Sequence, residues 1–178
     1  GLTFGAALAA TLLGGAGAHA EPFSVTVVAG HPPITLGVSN IRDFFIPEVN
    51  RRLAETGEHS IDWTEAYAGS VADYRGVFEA VESGIADFGY VPLLFEGDKL
   101  PLEQVTYVTP FSTHDLGALL QVMSRLRAEV PEMNAAWEKY NQKVLAPVGI
   151  DDHHFVTNFP IVSVADLDNR RINAAGLT

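Results

Sequence analysis

Apolar residues follow two different periods in the first half of the chain, and the two periods alternate. Three short runs rich in β-branched and aromatic residues predict strands at 23–30 (FSVTVVAG), 59–67 (HSIDWTEAY) and 85–91 (IADFGYV). Between them, apolar residues recur every three or four positions, which predicts helices over 41–56 and 70–83. The order βαβαβ predicts an α/β fold with a parallel sheet and right-handed crossovers.

Capping and turn residues predict where these two helices begin and end. A turn-rich loop at 31–40 precedes the first helix, with Asn40 as a candidate cap. Ser70 and Asp73 resemble a capping box at the start of the second helix. A glycine follows each helix and predicts its end.

The second half of the chain opens with two helical patterns. Apolar residues at helical spacing predict a helix over 116–130, capped near Asp115, and a second helical segment that starts at Pro131. The remaining segments predict, in order, a strand at 143–150, a strand at 153–159, a turn or short helix at 163–169 and the start of a strand at 171.

Composition argues against several classes of function. The 178 residues carry 11 Lys and Arg against 22 Asp and Glu, and this net charge of −11 disfavours nucleic acid or an anionic membrane surface as a partner. The absence of cysteine excludes thiolate nucleophiles and cysteine-based metal sites in these residues. No nucleophile elbow, phosphate-binding loop, dinucleotide-binding glycine motif or His-Glu-x-x-His motif occurs. We therefore expect no enzyme activity, no cofactor and no resident metal.

The N-terminal segment predicts export. Residues 1–20 contain no Asp, Glu, Lys or Arg, are rich in Ala, Gly and Leu, and end in Ala18-His19-Ala20, a small-x-small cleavage pattern. This composition is typical of part of a secretory signal peptide that is cut after Ala20. No other stretch reaches about 18 apolar residues, so we expect a mature chain without a direct membrane insertion.

The predicted fold also indicates where a ligand would bind. In open α/β sheets, ligands bind outside the carboxyl ends of the strands. This rule selects the loops after the three predicted strands, and the glycine and serine of the second loop are expected to lead into a helix N-terminus that favours an anion. The candidate ligand-binding residues in these loops are His31, Tyr67, Gly69, Ser70, Tyr90, Val91 and Pro92.

A cluster of chemically active residues lies in the run GIDDHHFVTNFP (149–160), where Asp151 to His154 are two aspartates followed by two histidines. In an extended segment, successive side chains point to opposite faces, so Asp151 and His153 share one face and their neighbours share the other. Four adjacent ligands cannot converge on one ion without a sharp turn, and a zinc site would need distant partners. A metal site formed by this run alone is therefore disfavoured.

The order of several segments resembles one protein family. FSVTVVAGHPP (23–33), AYAGSVADYRGVFEAVESGIADFGYVP (66–92), KLPLEQVTYVTPF (99–111) and FVTNFPIVSVADLDNRRINAAG (155–176) follow one another as in the solute-binding proteins of tripartite ATP-independent periplasmic (TRAP) transporters. The segment ESGIADFGYV is similar to the family's Gly-x-x-Asp strand entry, and TNFPIVSVADLDNRRI to its Thr-Asn-x-Pro-Ile run. The resemblance covers residues 24–176.

The resemblance implies a two-lobed α/β protein of the periplasmic solute-binding type. Family members close two lobes on a ligand at the lobe interface and are considerably longer than this chain. The implied division is part of a signal peptide at 1–20, a first lobe at 21–125, and a crossover with the start of a second lobe at 126–178, the rest of which lies outside this sequence.

The resemblance also implies further site residues. In the best-known branch of the family, two arginines pair with the ligand carboxylate, and the matching positions here are His153 and Asn173. A histidine and an asparagine still bind a carboxylate through hydrogen bonds. They equally suit a keto acid, a hydroxy acid, an aromatic acid or a less charged solute, so the ligand is expected to differ from a simple dicarboxylate.

By this resemblance, the protein captures a small organic acid in the periplasm and presents it to the membrane subunits of a TRAP transporter, without chemistry on the ligand. Two alternatives remain open. One is a periplasmic α/β hydrolase or isomerase that uses His153 with a carboxylate. The other is a binding protein that feeds a sensor instead of a transporter.

Overall fold

A parallel sheet organises the first half of the chain. The computed structural model describes residues 22–109, 112–150 and 154–173. Strands β1 (Phe23–Val28), β2 (Ile61–Ala66) and β3 (Phe88–Gly89) lie side by side in the order β2-β1-β3. Strand β1 runs parallel to β2 along its whole length and parallel to β3 over two residue pairs. The α/β fold with a parallel sheet is therefore confirmed.

Helices connect and cover these strands. A π-helical turn, Ile41–Phe45, joins two α-helices, Leu36–Asn40 and Ile46–Thr56, and short 3₁₀ turns occur at Leu93–Phe95, Pro101–Gln104 and Val164–Leu167. The α-helices are α1 (Leu36–Asn40), α2 (Ile46–Thr56), α3 (Val77–Glu82), α4 (Val105–Val108), α5 (Leu116–Glu129) and α6 (Pro131–Glu138).

The helical run after β1 begins earlier than predicted. It starts at Leu36, inside the segment expected to be a loop, and Asn40 has helical backbone angles and makes no side-chain capping bond. The prediction of Asn40 as a cap was therefore wrong. Gly37 and Val38 are buried against the sheet side of the molecule, so tertiary packing selects helix in a stretch whose composition favours turns.

The helix after β2 begins later than predicted. Ala68 and Gly69 both have positive φ angles, 56° and 74°, which no right-handed helix can include. The Asp73 carboxylate accepts hydrogen bonds from the backbone N–H groups of Arg75 and Gly76, each at 3.0 Å. The predicted Ser70–Asp73 capping box was therefore wrong, and 67–76 is a loop that precedes α3.

Strand β1 carries the core on both of its faces. Val27 and Val28 are fully buried and point to opposite sides, towards α1 and α2 and towards α3 respectively. Directly before β3, Asp87 pairs with Thr26 in both directions. The Thr26 N–H donates to the Asp87 carboxylate at 2.8 Å, and the Asp87 N–H donates to the Thr26 carbonyl at 3.0 Å, so Asp87 has a structural role here.

The second half contains the two helices that the apolar period predicts. The Asp115 side chain accepts a hydrogen bond from the Ala118 N–H at 3.0 Å and caps α5, while Pro131 opens α6. Helix α6 packs on α3 through a cluster of Phe78, Leu100 and Trp137. Both helix predictions are confirmed.

The strands predicted beyond α6 do not form in the described residues. Residues 143–150, 154–159 and 171–173 contain no strand, and no neighbouring strand supplies backbone hydrogen bonds to them there. Most of their apolar side chains stay exposed, among them Phe155 at 64% and Val156 at 97%, whereas Val144 is partly buried against the cluster on α6. Residue 153 and residues 174–176 lie outside the described part.

Candidate functional site

The loops after the three strands meet at the carboxyl edge of the sheet. The loop after β2 is tied to the loop after β1 by backbone hydrogen bonds, in which the Ala68 N–H donates to the His31 carbonyl at 3.0 Å and the Gly69 N–H donates to the Ala29 carbonyl at 3.2 Å. The Tyr90 N–H donates to the Val28 carbonyl at 3.0 Å, which places the loop after β3 beside them. The structure thus brings together the three segments that the strand-end rule selects.

His31 lies at the centre of this edge, between two tyrosines. Its ring meets Tyr74 edge-on with centroids 4.5 Å apart and Tyr90 edge-on at 5.3 Å. The Nδ1 atom is buried and has no hydrogen-bond partner among the described residues. Burial lowers the pKa of the imidazole, because desolvation disfavours its charged form. His31 is therefore a neutral, partly buried group at a sheet edge.

Tyr74 is a member of the site that the sequence pattern missed. The helical period of 70–83 places it within a helix, but the loop at 67–76 lays it against His31 and leaves it 45% exposed. The available signal was Gly69, because a glycine tolerates the positive φ angle of a tight turn directly after a strand.

Tyr67 adds a second buried polar group near this edge. Its side chain belongs to the core cluster on the α1 and α2 side of β1, and no hydrogen bond of ordinary geometry reaches its hydroxyl oxygen from the described residues. Burial raises the pKa of the phenol, and the nearby Glu65 carboxylate raises it further. The hydroxyl is therefore neutral and lies close to a carboxylate.

The other predicted loop residues have mixed positions. Gly69 supplies part of the turn after β2, and Ser70 is exposed, but the helix N-terminus expected beside them lies at Val77 instead. Val91 packs its side chain against two apolar clusters, and Pro92 precedes a 3₁₀ turn. The helix-dipole argument for an anion at Gly69 and Ser70 therefore fails, while their contact with a ligand stays a prediction.

One basic residue lies on these loops. Arg75 is the single Lys or Arg among residues 29–31, 66–76 and 90–92. Its guanidinium lies over the Phe95 ring, 4.7 Å from the ring centroid, and so joins the loop after β2 to the turn that follows β3. This edge therefore combines several neutral polar groups with one cation and one carboxylate, that of Asp73, which accepts hydrogen bonds from backbone N–H groups of its own loop.

The two residues implied by the family resemblance cannot be placed with this edge. His153 lies outside the described residues, as do Asp151 and Asp152. Asn173 is described, exposed and outside any strand. Within the described ranges, no group of three His, Asp or Glu side chains is arranged to hold a metal ion, and no helix is long and apolar enough to cross a bilayer.

An apolar cavity lies in a different part of the molecule. It has a volume of about 270 Å³ and is lined by apolar side chains of residues 101–108 and of α5 and α6, including Leu102, Val105 and Leu126. It has no charged or hydrogen-bonding side chain in its lining, so it does not suit an organic acid.

Over part of its length, the chain is similar to two solved structures. DctP6, a Bordetella pertussis extracytoplasmic solute receptor binding pyroglutamic acid, matches with a TM-score of 0.51 and 17% identity over 66% of this chain and 36% of the receptor. DctP7, a receptor from the same organism that also binds pyroglutamic acid, matches over the same shares at 22% identity with a TM-score of 0.49. The chain thus spans little more than a third of either receptor's length.

No family model and no curated protein matches the sequence. The likeness to DctP6 therefore stands on structure, and it shows that this chain shares the α/β fold of an extracytoplasmic solute receptor over about two thirds of its length.

Proposed function

We propose that the protein is an extracytoplasmic solute-binding protein that captures a small organic acid at the carboxyl edge of its parallel sheet. The observation that carries the proposal is the convergence of the three strand-end loops on His31, a neutral histidine between two tyrosines. A structure of the same fold belongs to a receptor that binds pyroglutamic acid, which supports a small acid as the class of ligand.

The polar groups of the edge suit an acid that carries a further neutral polar group. His31, Tyr67 and Tyr90 offer uncharged donors or acceptors, and Arg75 is the cation of these loops. A cyclic amide acid, a keto acid or a hydroxy acid presents both a carboxylate and a carbonyl or hydroxyl group. The chain's net charge of −11 disfavours a multiply charged anion, which also fits a ligand with one carboxylate.

The proposal includes a second lobe and membrane partners. Residues 21–125 would form the first lobe and residues 126–178 the crossover and the start of the second, with His153 and Asn173 contacting the ligand from that side. The closed protein would then deliver the acid in the periplasm to the membrane subunits of a TRAP transporter.

A thermal-shift screen of the full-length protein tests the binding function. The panel contains L-pyroglutamate, keto acids, hydroxy acids, aromatic acids and C4-dicarboxylates. A ligand at about 100 times its dissociation constant should stabilise the folded state by ~2.7 kcal/mol. Recovery of the acid unchanged after incubation separates binding from turnover. A panel in which no acid raises the melting temperature would refute the proposal.

Two histidine variants locate the site, and a third is the control. We expect His31→Ala and His153→Ala to remove most of the ligand-induced shift. His59→Ala should leave it intact, because His59 precedes β2 at the opposite edge of the sheet and contacts Phe23. Binding by His31→Ala equal to that of the wild type would exclude this edge as the site. Uptake of the acid is then compared between cells with and without the gene. Loss of uptake in cells that lack the gene indicates transport, and unchanged uptake indicates sensing.

A further inference from the structure

Two glycines lie directly beneath the tyrosines that flank His31. At Gly30, at the end of β1, a β-carbon would come within 2.6 Å of the Asp73 carbonyl carbon and 2.7 Å of the Tyr74 Cα. These are backbone atoms of the loop at 67–76, and real side chains do not approach so closely. Any side chain at residue 30 would therefore lift the loop, and Tyr74 with it.

The second glycine, Gly37, leaves room for the Tyr90 ring in the same way. At Gly37, in α1, a β-carbon would lie 2.5 Å from Cε2 of Tyr90 and 2.7 Å from its hydroxyl oxygen. The missing side chain lets the hydroxyl end of the half-buried Tyr90 ring approach the helix backbone, with the ring centroid 5.3 Å from that of His31. Gly37 is an unfavourable residue in a helix, so its presence needs a packing reason, and the Tyr90 ring supplies one.

We propose that Gly30 and Gly37 are positioning residues, whose missing side chains let Tyr74 and Tyr90 close on His31 and keep its imidazole uncharged with the proton on Nε2. Nδ1 is buried without a partner, and an unpaired buried N–H is rarer in proteins than an unpaired acceptor. With Nδ1 covered, a ligand can be met only by Nε2.

Among the described residues, no charged side chain contributes to the lowered pKa of His31. Its aromatic ring contacts are with Tyr74 and Tyr90, and the pKa of Tyr90 is itself raised by burial. Asp73, in the overlying loop, directs its carboxylate to the N–H groups of Arg75 and Gly76. The lowered pKa of His31 has burial as its cause and no ionic contribution.

This inference rests on the proposed function and makes its ligand class narrower. A neutral His31 with the proton on Nε2 is a hydrogen-bond donor, so the part of the solute that meets this lobe must carry an acceptor, such as a carbonyl or carboxylate oxygen. A solute that offers only a donor there, such as an ammonium group, would be rejected.

NMR of the full-length protein without ligand tests the positioning. The ring chemical shifts of His31 report both its pKa and its tautomer, so this measurement succeeds or fails independently of any binding. We expect the wild type to titrate below the ordinary value of 6.5, with the Nε2–H tautomer. Gly37→Ala should raise the His31 pKa towards that ordinary value, because a displaced Tyr90 ring lets water reach the imidazole.

Matched variants separate positioning from a general effect on folding. Gly76→Ala is the control, because a β-carbon there meets nothing closer than 3.4 Å, and it should leave the His31 pKa unchanged. Tyr90→Phe keeps the ring and should also leave it unchanged, whereas Tyr90→Ala should raise it as Gly37→Ala does. Gly30→Ala is the more severe change, because its β-carbon meets backbone atoms of the loop at 67–76. If this variant folds, it should raise the His31 pKa by displacing Tyr74.

Three results would overturn the inference. They are an ordinary His31 pKa in the wild type, an Nδ1–H tautomer, and a Gly37→Ala protein with the same His31 pKa as the wild type. With L-pyroglutamate as the probe, Gly37→Ala should also weaken binding. Loss of binding with an unchanged His31 pKa would leave the proposed function standing and refute the positioning.

Discussion

Two buried polar clusters in this protein differ in how completely their atoms are paired. The first cluster joins Glu103 to α5 and α6. The buried Glu103 carboxylate accepts hydrogen bonds at 2.6 Å from both terminal nitrogens of Arg127 on α5 and one at 2.7 Å from the indole N–H of Trp137 on α6. Only Nε of Arg127 lacks a partner there among the described residues. At the sheet edge, His31 Nδ1 is buried and lacks a partner among the described residues, and the buried Tyr67 hydroxyl lies near the Glu65 carboxylate without a hydrogen bond of ordinary geometry.

The difference separates a structural site from a candidate binding site. Buried polar atoms are almost always paired in folded proteins, because an unpaired one costs about 1–3 kcal/mol. The Glu103 cluster follows this rule except at Arg127 Nε, and it joins α6 to the rest of the fold. The His31 edge departs from it at the Nδ1 atom, which the edge itself covers, and at the Tyr67 hydroxyl, so a solute would bond to His31 through Nε2.

The largest effect on stability is expected at the paired cluster. Glu103→Ala leaves the Arg127 guanidinium, whose side chain is 11% exposed, without its carboxylate. Removing one partner of a buried ion pair costs about 3–5 kcal/mol, so the free energy of unfolding in a denaturant titration should fall by that amount.

A surface ion pair on α5, the helix that carries Arg127, is the control for this change. Arg125 Nη2 and Glu129 Oε1 lie 3.2 Å apart, and the two side chains are 76% and 62% exposed. Glu129→Ala should therefore cost no more than about 0.5 kcal/mol. Equal losses for the Glu103 and Glu129 variants would remove the distinction between the two clusters.

A smaller effect of opposite sign is expected at Tyr67. Tyr67→Phe removes a buried hydroxyl without an ordinary partner and keeps the ring in its core cluster. The free energy of unfolding should stay constant or rise by up to about 1 kcal/mol, whereas affinity for the acid found in the thermal-shift screen should fall. A clear loss of stability would show that the hydroxyl is paired in the folded protein and belongs with the structural cluster.

The smallest effect is a dependence of stability on pH that originates at His31. The pKa of His31 in the folded state lies below the ordinary 6.5. Between these two pH values the unfolded chain therefore binds more protons than the folded chain. The contribution of His31 to stability is therefore complete above pH 6.5 and is lost as the pH falls through 6.5 to the folded-state pKa.

Denaturant unfolding at several pH values, with and without His31→Gln, measures this contribution. The wild type should lose more stability on acidification than the variant does. If both proteins lose the same stability on acidification, His31 is hydrated like an exposed histidine. That result would contradict the burial of His31 at the sheet edge.

Local pattern predicted much of the fold but not the details of the candidate site. β1, β2 and helices α5 and α6 follow from the apolar period, since each buries one face or one run of side chains. The placement of Tyr74 could not be predicted in this way. It depends on the left-handed conformation of Ala68, which an alanine adopts only when surrounding contacts compensate for the strain.

The predicted strands beyond α6 failed for a related reason. A strand needs backbone partners from another strand, and residues 143–150 and 154–159 find none among the described residues. Their apolar runs indicate an inclination to pair, but the partner is a property of the whole tertiary structure and not of the run itself.

The sequence alone predicted the α/β class with parallel strands, because the alternation of strand and helix periods can be read along the chain. It also predicted a ligand at the carboxyl edge of the sheet. The tertiary structure decided which side chains meet there. It set Tyr74 and Tyr90 around His31, left Nδ1 unpaired, and moved the helix N-terminus away from Ser70. These outcomes depend on close contacts at Gly30 and Gly37 between segments distant in sequence, and no local pattern encodes such contacts.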